Sequence, residues 1–267
     1  MQIKSINYIN FRNLKNNKLE FHPRFNLFMG KNGQGKTSIL EAIYFSITGK
    51  SFRTKHIKEL IKYDYQDAGA MINYEDRLGK KSIGIKFNGK TREYLYNKSK
   101  VKFDEFIGRV NVISFIPDDI YLILGNPSLR RTFFDYEIAQ GNEIYYKNLK
   151  DFNKILKIRN KFLKEGKSKD PLFEVYNEKF IELSVKIFSK RFEYIKKLSV
   201  LLNLNYRKLF SDKSELKIVY KSFSENIFKS EDIMKEEFIK TLDKVEKQEK
   251  YRGVSLVGPQ KDDFIFY

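Results

Sequence analysis

The sequence contains no cysteine, no tryptophan, only two histidines and five prolines among its 267 residues. Without cysteine there can be no disulfide framework and no thiolate-held zinc, which excludes the stapled secreted domains and the zinc-ribbon classes. His22 and His56 have no carboxylate or second histidine at a catalytic or metal-ligand spacing, so neither is assigned a role. No apolar run approaches the roughly 18 residues of a helical membrane span. The start, Met1-Gln2-Ile3-Lys4-Ser5, leads straight into alternating sequence without a signal-peptide core. A soluble cytoplasmic protein with no membrane partner is the expectation. Internal repeats and low-complexity linkers are also lacking.

What is present is apolar and basic. Hydrophobic residues make up 41% of the chain, with 24 Phe and 17 Tyr, enough to build a core and to exclude an unfolded polymer. The net charge is +18, and it is unevenly spread: residues 1–100 hold 20 Lys+Arg against 8 Asp+Glu, and residues 151–200 hold 13 against 7. Such stretches suit a polyanion, most simply nucleic acid. A lysine-rich composition also follows from an AT-rich genome, so charge alone leaves both readings open.

Periodicity divides the chain. Ile3–Phe11, Leu19–Phe21 and the apolar run Phe25–Met29 predict strands, the last of the kind buried on both faces of a sheet. Ile39, Leu40, Ile43 and Ile47 predict a helix ending at Gly49. Residues 68–74, 81–87 and 92–96 alternate and predict an antiparallel meander, with Asn88-Gly89 as a hairpin turn of positive φ. Val110–Ile116 predicts a further strand, closed by Pro117-Asp118-Asp119. Beyond it, Tyr145, Leu149, Phe152, Leu156 and Leu163 form one helical stripe, and Phe173, Tyr176, Phe180, Leu183 and Ile187 another. The polar turn 165–171 between them suggests two antiparallel helices, either an arm or lid or ordinary core helices. A strand is expected at 215–220, a charged helix at 230–250 and strand-like sequence from Val254 to Tyr267.

One motif carries defined chemistry. Gly30-Lys31-Asn32-Gly33-Gln34-Gly35-Lys36-Thr37 fits the phosphate-binding loop pattern G-x-x-x-x-G-K-[ST] in full, and Ser38 follows it into the helix. The glycines let backbone N–H groups wrap an anion, Lys36 supplies an ammonium for the β- and γ-phosphates, and the Thr37 hydroxyl is a magnesium ligand. The helix that follows directs its positive end at the same anion. A nucleotide with Mg2+ is therefore expected here. No Asn-Lys-x-Asp base-reading motif exists, which argues against a GTPase. The meander and the distant Ile116-Pro117-Asp118 favour the layout of an ABC-type ATPase head.

The ordered set of segments then resembles the RecF family of SMC-like ABC ATPases. It comprises Asn10-Phe11-Arg12-Asn13, the phosphate loop running into Leu40-Glu41-Ala42-Ile43-Tyr44, and Gly49-Lys50-Ser51-Phe52-Arg53. Phe115-Ile116-Pro117-Asp118-Asp119, Gly125–Arg131, Phe134-Asp135 and Gly258-Pro259-Gln260-Lys261-Asp262-Asp263 complete it. The resemblance implies an α/β fold, a P-loop ATPase head with an antiparallel β-subdomain and an inserted helical arm. Its segments would be 1–118 (head), 119–210 (arm or lid) and 211–267 (return to the head).

By the same resemblance Arg12 and Asn13 lie beside the nucleotide, although Arg12 read alone is also an ordinary surface charge. Asp118 and Asp119 either sense the γ-phosphate and magnesium or cap the turn after Pro117. Lys50, Arg53, Lys55, Lys58, Arg130 and Arg131 are candidate contacts to DNA phosphates, or simply solvated. The resemblance further implies ATP-controlled dimerisation on single-stranded or junction DNA. It also implies RecO/RecR-type mediators, RecA loading, replication-gap repair and the SOS response to DNA damage. The family's Ser-x-Gly-Gln-type signature and Walker B strand would follow the Gly258–Asp263 block, and Tyr267 comes only a few residues after it. The expectation is thus of a truncated homologue or fragment whose hydrolysis is in doubt. The alternatives are a hydrolysis-deficient interaction module of the same fold, or a stand-alone kinase using Asp118.

Overall fold

The structure, a computed structural model, describes residues 1–210, 215–224 and 230–267. It divides into two compact units, Met1–Ser114 and Phe115–Tyr267. The described part of 211–267 packs with the helices of 119–210.

The first unit is built on a six-stranded antiparallel sheet in the order β2-β1-β3-β4-β5-β6. Its strands are β1 (Gln2–Ile9), β2 (Asn17–Glu20), β3 (Asp67–Asp76), β4 (Gly79–Asn88), β5 (Arg92–Tyr96) and β6 (Ser99–Val101). The apolar residues that alternate mark the core face: Ile6 and Tyr8, Ala68 to Tyr74 at every second residue, and Ile83, Ile85 and Phe87 all turn to one side. Helix α1 (Lys36–Thr48) covers that side, and its Phe45 ring lies 4.9 Å from Phe87 and 6.0 Å from Phe11. Burying each such aromatic is worth about 1.5–3 kcal/mol, so the aromatic cluster fixes α1 on the sheet. Gly49 ends α1 in the left-handed region, φ 69°, with its N–H on the Phe45 carbonyl, as expected. Leu40, expected on the apolar stripe, is instead exposed, because the buried face is centred on Ala42, Phe45 and Ile47. The short helix α2 (Phe103–Phe106) closes the far edge, with Phe106 buried under Tyr94.

Three expectations in this unit are corrected. Phe25–Met29 forms no strand: Phe25, Leu27 and Met29 are 71%, 67% and 81% exposed, and among the described residues no strand pairs with them. Val110–Ile116 likewise forms no strand among the described residues; Val110 is buried and Ile113 exposed. The meander forms, yet Asn88-Gly89 does not supply its positive φ. There the Asn88 side-chain oxygen accepts the N–H groups of Lys90 and Thr91 at 2.9 and 2.8 Å. The two consecutive positive φ values occur at Asn97 (48°) and Lys98 (67°), in the two-residue turn between β5 and β6.

The second unit is mainly helical. After a 3-10 turn at Pro117–Ile120 come α3 (Tyr121–Leu124), α4 (Pro127–Gly141), α5 (Glu143–Lys164) and α6 (Pro171–Leu209). Then follow β7 (Ile218–Lys221), α7 (Glu231–Arg252), a 3-10 turn at Pro259–Lys261 and β8 (Asp263–Phe266), which pairs antiparallel with β7. The helices start where side chains can accept orphan N–H groups. Asn126 and Asp170 each cap a helix whose first residue is proline. The two expected stripes meet between α5 and α6, with Phe152 stacked 5.5 Å from Phe180. The strand expected at 215–220 is β7, and of the strand-like end residues 263–266 form β8, with Tyr267 exchanging two further backbone hydrogen bonds with Lys217.

Two buried arginines tie this unit together. Arg159 of α5 reaches Glu249 of α7 at 2.7 Å and Ser255 at 2.6 Å. Arg191 of α6, its side chain 2% exposed, grips Asp135 of α4 through two bonds of 2.9 Å and also donates to the Pro259 carbonyl at 2.7 Å. It reaches Asp262 at 3.1 Å, and Asp262 also accepts from Ser222 at 2.7 Å and from the hydroxyl of Tyr220. Burial pushes the Asp262 carboxyl up to about 6, against the pull of Arg191 and its hydroxyl donors.

Candidate functional site

The phosphate-binding loop lies in the first unit, between the strandless residues 25–29 and α1. Gly30, Gly33 and Gly35 all have positive φ, at 146°, 82° and 93°, conformations that an L side chain resists. At Gly35 space is also closed: a Cβ there would lie 2.6 Å from Leu14 Cδ2. The loop is braced from within and from behind. Lys36 Nζ donates to the carbonyl oxygens of Gly30 and Lys31, 2.8 Å each, which holds the ammonium inside the loop's curve. Asn13 donates to the Gly33 carbonyl at 2.8 Å, and its side-chain oxygen accepts from Ser38 at 3.2 Å. Lys31, Asn32, Gln34 and Thr37 are exposed along the loop, while Ser38 is buried at the start of α1.

In front of the loop is an open cavity of about 670 Å3. Arg12, Asn13, Gly33, Gly35, Lys36, Thr37, Ser38 and Arg53 line it, and so do Ile61, Lys62 and Tyr63. Residues 60–62 are brought there by backbone bonds antiparallel to 10–12. Arg12 N–H donates to Leu60 O at 2.8 Å, Lys62 N–H donates to Asn10 O at 2.7 Å, and Phe11 bridges Ile61. Periodicity did not single out this segment, since a two-residue bridge is too short to leave a repeat.

Arg12 lines the cavity, but its Nε and one Nη are engaged by Glu41 at 3.0 and 2.8 Å. Glu41 is fully buried, accepts from Ser51 as well, and lies 3.4 Å from Arg53. This carboxylate was missed as a site residue. Its only trace in sequence is an acid beside Ala42 on the buried side of an amphipathic helix. It holds two cationic side chains at the cavity wall and leaves the loop's own ammonium, Lys36, to the ligand.

The remaining candidates separate cleanly. Lys50, Lys55 and Lys58 are exposed in the segment after α1, and Arg53 is exposed at the cavity edge. In the second unit Arg130 forms a paired contact with Asp263, at 2.7 and 3.0 Å, and also donates to the Gly125 carbonyl at 2.7 Å. Arg131 donates to the Asp262 carbonyl at 2.6 Å. Both arginines serve internal contacts that join α4 to the start of β8. Asp119 accepts the Ile116 N–H at 2.8 Å and so closes the turn after Pro117, the capping arrangement foreseen as one of its two readings.

Comparison with known proteins agrees with this arrangement. The family model for the RecF/RecN/SMC N-terminal domain matches residues 2–118. A DNA replication and repair protein RecF from Alkaliphilus oremlandii is 35% identical over 99% of this chain and 73% of its own length. The Clostridium botulinum RecF is 37% identical over 99% of this chain and 72% of its length. The chain belongs to the RecF family. A solved structure described as the recombination mediator protein RecF–ATP in the RecFOR pathway superposes with a TM-score of 0.92 at 30% identity. It covers 100% of this chain, which spans 73% of it. The α/β head of this RecF-family chain, with its antiparallel β-subdomain, is thus shared with proteins of DNA replication and repair. Among the described residues no helix is long and apolar enough to cross a membrane.

Proposed function

We propose that this chain binds ATP at the phosphate-binding loop and holds DNA through the basic surface of its first unit, as a cytoplasmic RecF-type protein of recombinational repair. The observation that carries this reading is the loop itself. Two positive-φ glycines, Gly33 and Gly35, converge with Lys36 and Thr37 on one open cavity, in a chain whose relative was solved with ATP. Gly30 to Gly35 offer backbone donors to the phosphates, and Lys36 exchanges its two carbonyl partners for phosphate oxygens. The residues present fit magnesium as a partner of the nucleotide. Thr37 offers one hydroxyl, and among the described residues no group of three or more His, Cys, Asp or Glu could cage a metal alone. Mg2+ would neutralise phosphate charge there.

ATP-dependent pairing of two chains on single-stranded or junction DNA, recruitment of RecO/RecR-type mediators, RecA loading and the SOS response belong to the same proposal. They rest on family membership. Lys50, Lys55, Lys58 and Arg53 are the phosphate-backbone contacts favoured by their exposure; Arg130 and Arg131, committed internally, are not carried into the interface. The test is DNA binding measured across salt concentrations, with and without Mg–ATP. Binding should tighten with ATP and fall with salt. Replacing Lys50, Lys55 and Lys58 together by Gln should flatten the log–log salt slope by about 2–3, roughly 0.9 per lost phosphate contact. Binding indifferent to ATP, or a slope unchanged in the triple variant, would refute the proposal.

A further inference from the structure

Helix α5 carries an unbalanced charge. Lys147, Lys150, Lys154, Lys157, Lys161 and Lys164 follow one another at alternating steps of three and four residues, so they stand in one file along the helix. All six are exposed. The opposite face is committed to the interior: Tyr145, Phe152, Arg159 and Leu163 are buried, and Arg159 is held by Glu249. A row of lysines is most often only a solvated face, and α6 shows the form that takes. There Glu182 pairs with Lys179 and Lys186, at 2.7 and 2.6 Å, and Glu193 with Lys190 and Lys197, at 2.6 and 2.8 Å. Helix α5 has only Glu143 and Asp151 as acids. Lys147 reaches Glu143 at 2.6 Å and Lys161 lies 3.8 Å from Glu165. Lys150, Lys154, Lys157 and Lys164 have no carboxylate partner among the described residues. Like charges three and four residues apart destabilise a helix. The file is therefore a repulsive element that packing on the other face outweighs, and an anion laid along it relieves the repulsion.

We propose that the α5 lysine file is a docking surface for a flexible acidic peptide segment of a partner protein. From Lys147 to Lys164 the file runs straight for about 25 Å along the helix axis. Roughly eight residues of extended peptide span that length. Duplex DNA is stiff on this scale and its phosphates wind around a cylinder, so a straight file meets few of them. A single nucleic-acid strand is flexible enough, but its binding sites add rings that stack on the bases. Helix α5 exposes no ring: Tyr145 and Phe152 are buried, Tyr146 and Phe162 are half-buried, and Phe162 faces Phe173 and Tyr176. A run of carboxylates needs neither curvature nor rings, and it meets the four unpaired ammonium groups without displacing an internal ion pair. The file belongs to the second unit, and none of its residues is among those assigned above to the nucleotide or to DNA.

The probe is a fluorescent polyglutamate peptide of about twelve residues, long enough to follow the whole file when extended. Its anisotropy should report binding to the full chain at low salt and release as salt rises. Replacing Lys150, Lys154, Lys157 and Lys164 together by Gln should weaken that binding about tenfold, the sum expected of four exposed ion pairs. The same variant should hold DNA as wild type does, and its thermal midpoint should not fall, because only a repulsion has been removed. Arg at the same four positions should keep peptide binding. Gln at Lys50, Lys55 and Lys58 should leave the peptide's affinity unchanged. No peptide binding by wild type, or equal affinity in wild type and the α5 Gln variant, would overturn the proposal. An equal or larger loss of affinity for single-stranded or duplex DNA in that variant would assign the file to nucleic acid and overturn it too. So would a matching loss of peptide affinity in the first-unit variant, which would mean attraction to the chain's overall charge alone.

Discussion

Lys36→Ala is expected to weaken ATP binding by about a hundredfold or more in a magnesium-dependent titration of the full chain. The ammonium lies within the loop and makes two charge-assisted bonds of 2.8 Å to loop carbonyls. Transferred to phosphate oxygens, such bonds are worth about 1.5–3 kcal/mol each, and tenfold in affinity corresponds to about 1.4 kcal/mol. Two of them give the expected loss. Tripolyphosphate should lose affinity in parallel, since the effect belongs to the phosphate end. Lys36 contributes nothing to the aromatic core between α1 and the sheet, so the thermal midpoint should stay close to that of wild type. Equal ATP binding by wild type and variant would remove the loop from the site altogether.

The second large effect concerns the other unit. Arg191→Met should destabilise it by roughly 3–5 kcal/mol, read as a fall in the urea midpoint, because it strands the buried Asp262 and the partly buried Asp135. Arg191→Lys should rescue little: a single ammonium cannot hold both oxygens of Asp135 and also reach Pro259 and Asp262. A midpoint unchanged in Arg191→Met would show that the cluster is dispensable.

The same cluster predicts a pH dependence. One arginine faces two carboxylates, and burial raises Asp262 from 3.8 to about 6 in spite of Arg191. A group whose folded pKa is raised binds its proton more tightly in the native state. Its contribution is therefore complete below about pH 4 and lost as pH climbs through 6. Stability of wild type should fall across that window relative to Asp262→Asn, whose profile should be flatter. Parallel profiles would contradict the assignment.

The elements that could be read from sequence are those set by local pattern. Alternation in residues 68–96 gave β3, β4 and β5, because one face of that sheet is buried under α1 and the other is not. The stripes from Tyr145 to Ile187 gave α5 and α6, because each buries one side against the other. Phe25–Met29 misled because an apolar run states only that burial would be favourable. A strand also needs a partner with free N–H and C=O groups, and among the described residues the sheet order places none beside it. Asn88-Gly89 misled for a related reason: the Asn88 side chain satisfied the turn's donors and removed the need for positive φ.

The phosphate-binding loop was fully determined by sequence, since its function depends on backbone freedom at Gly30, Gly33 and Gly35 and on one lysine and one hydroxyl at fixed spacing. Tertiary structure alone decided what surrounds it and what the remaining charges do. Glu41 engages Arg12 from 29 residues away, and Asp263 engages Arg130 from 133. No local period encodes such a pairing. It exists because burying a guanidinium is tolerable only opposite a carboxylate, and only the folded chain determines which carboxylate is within reach.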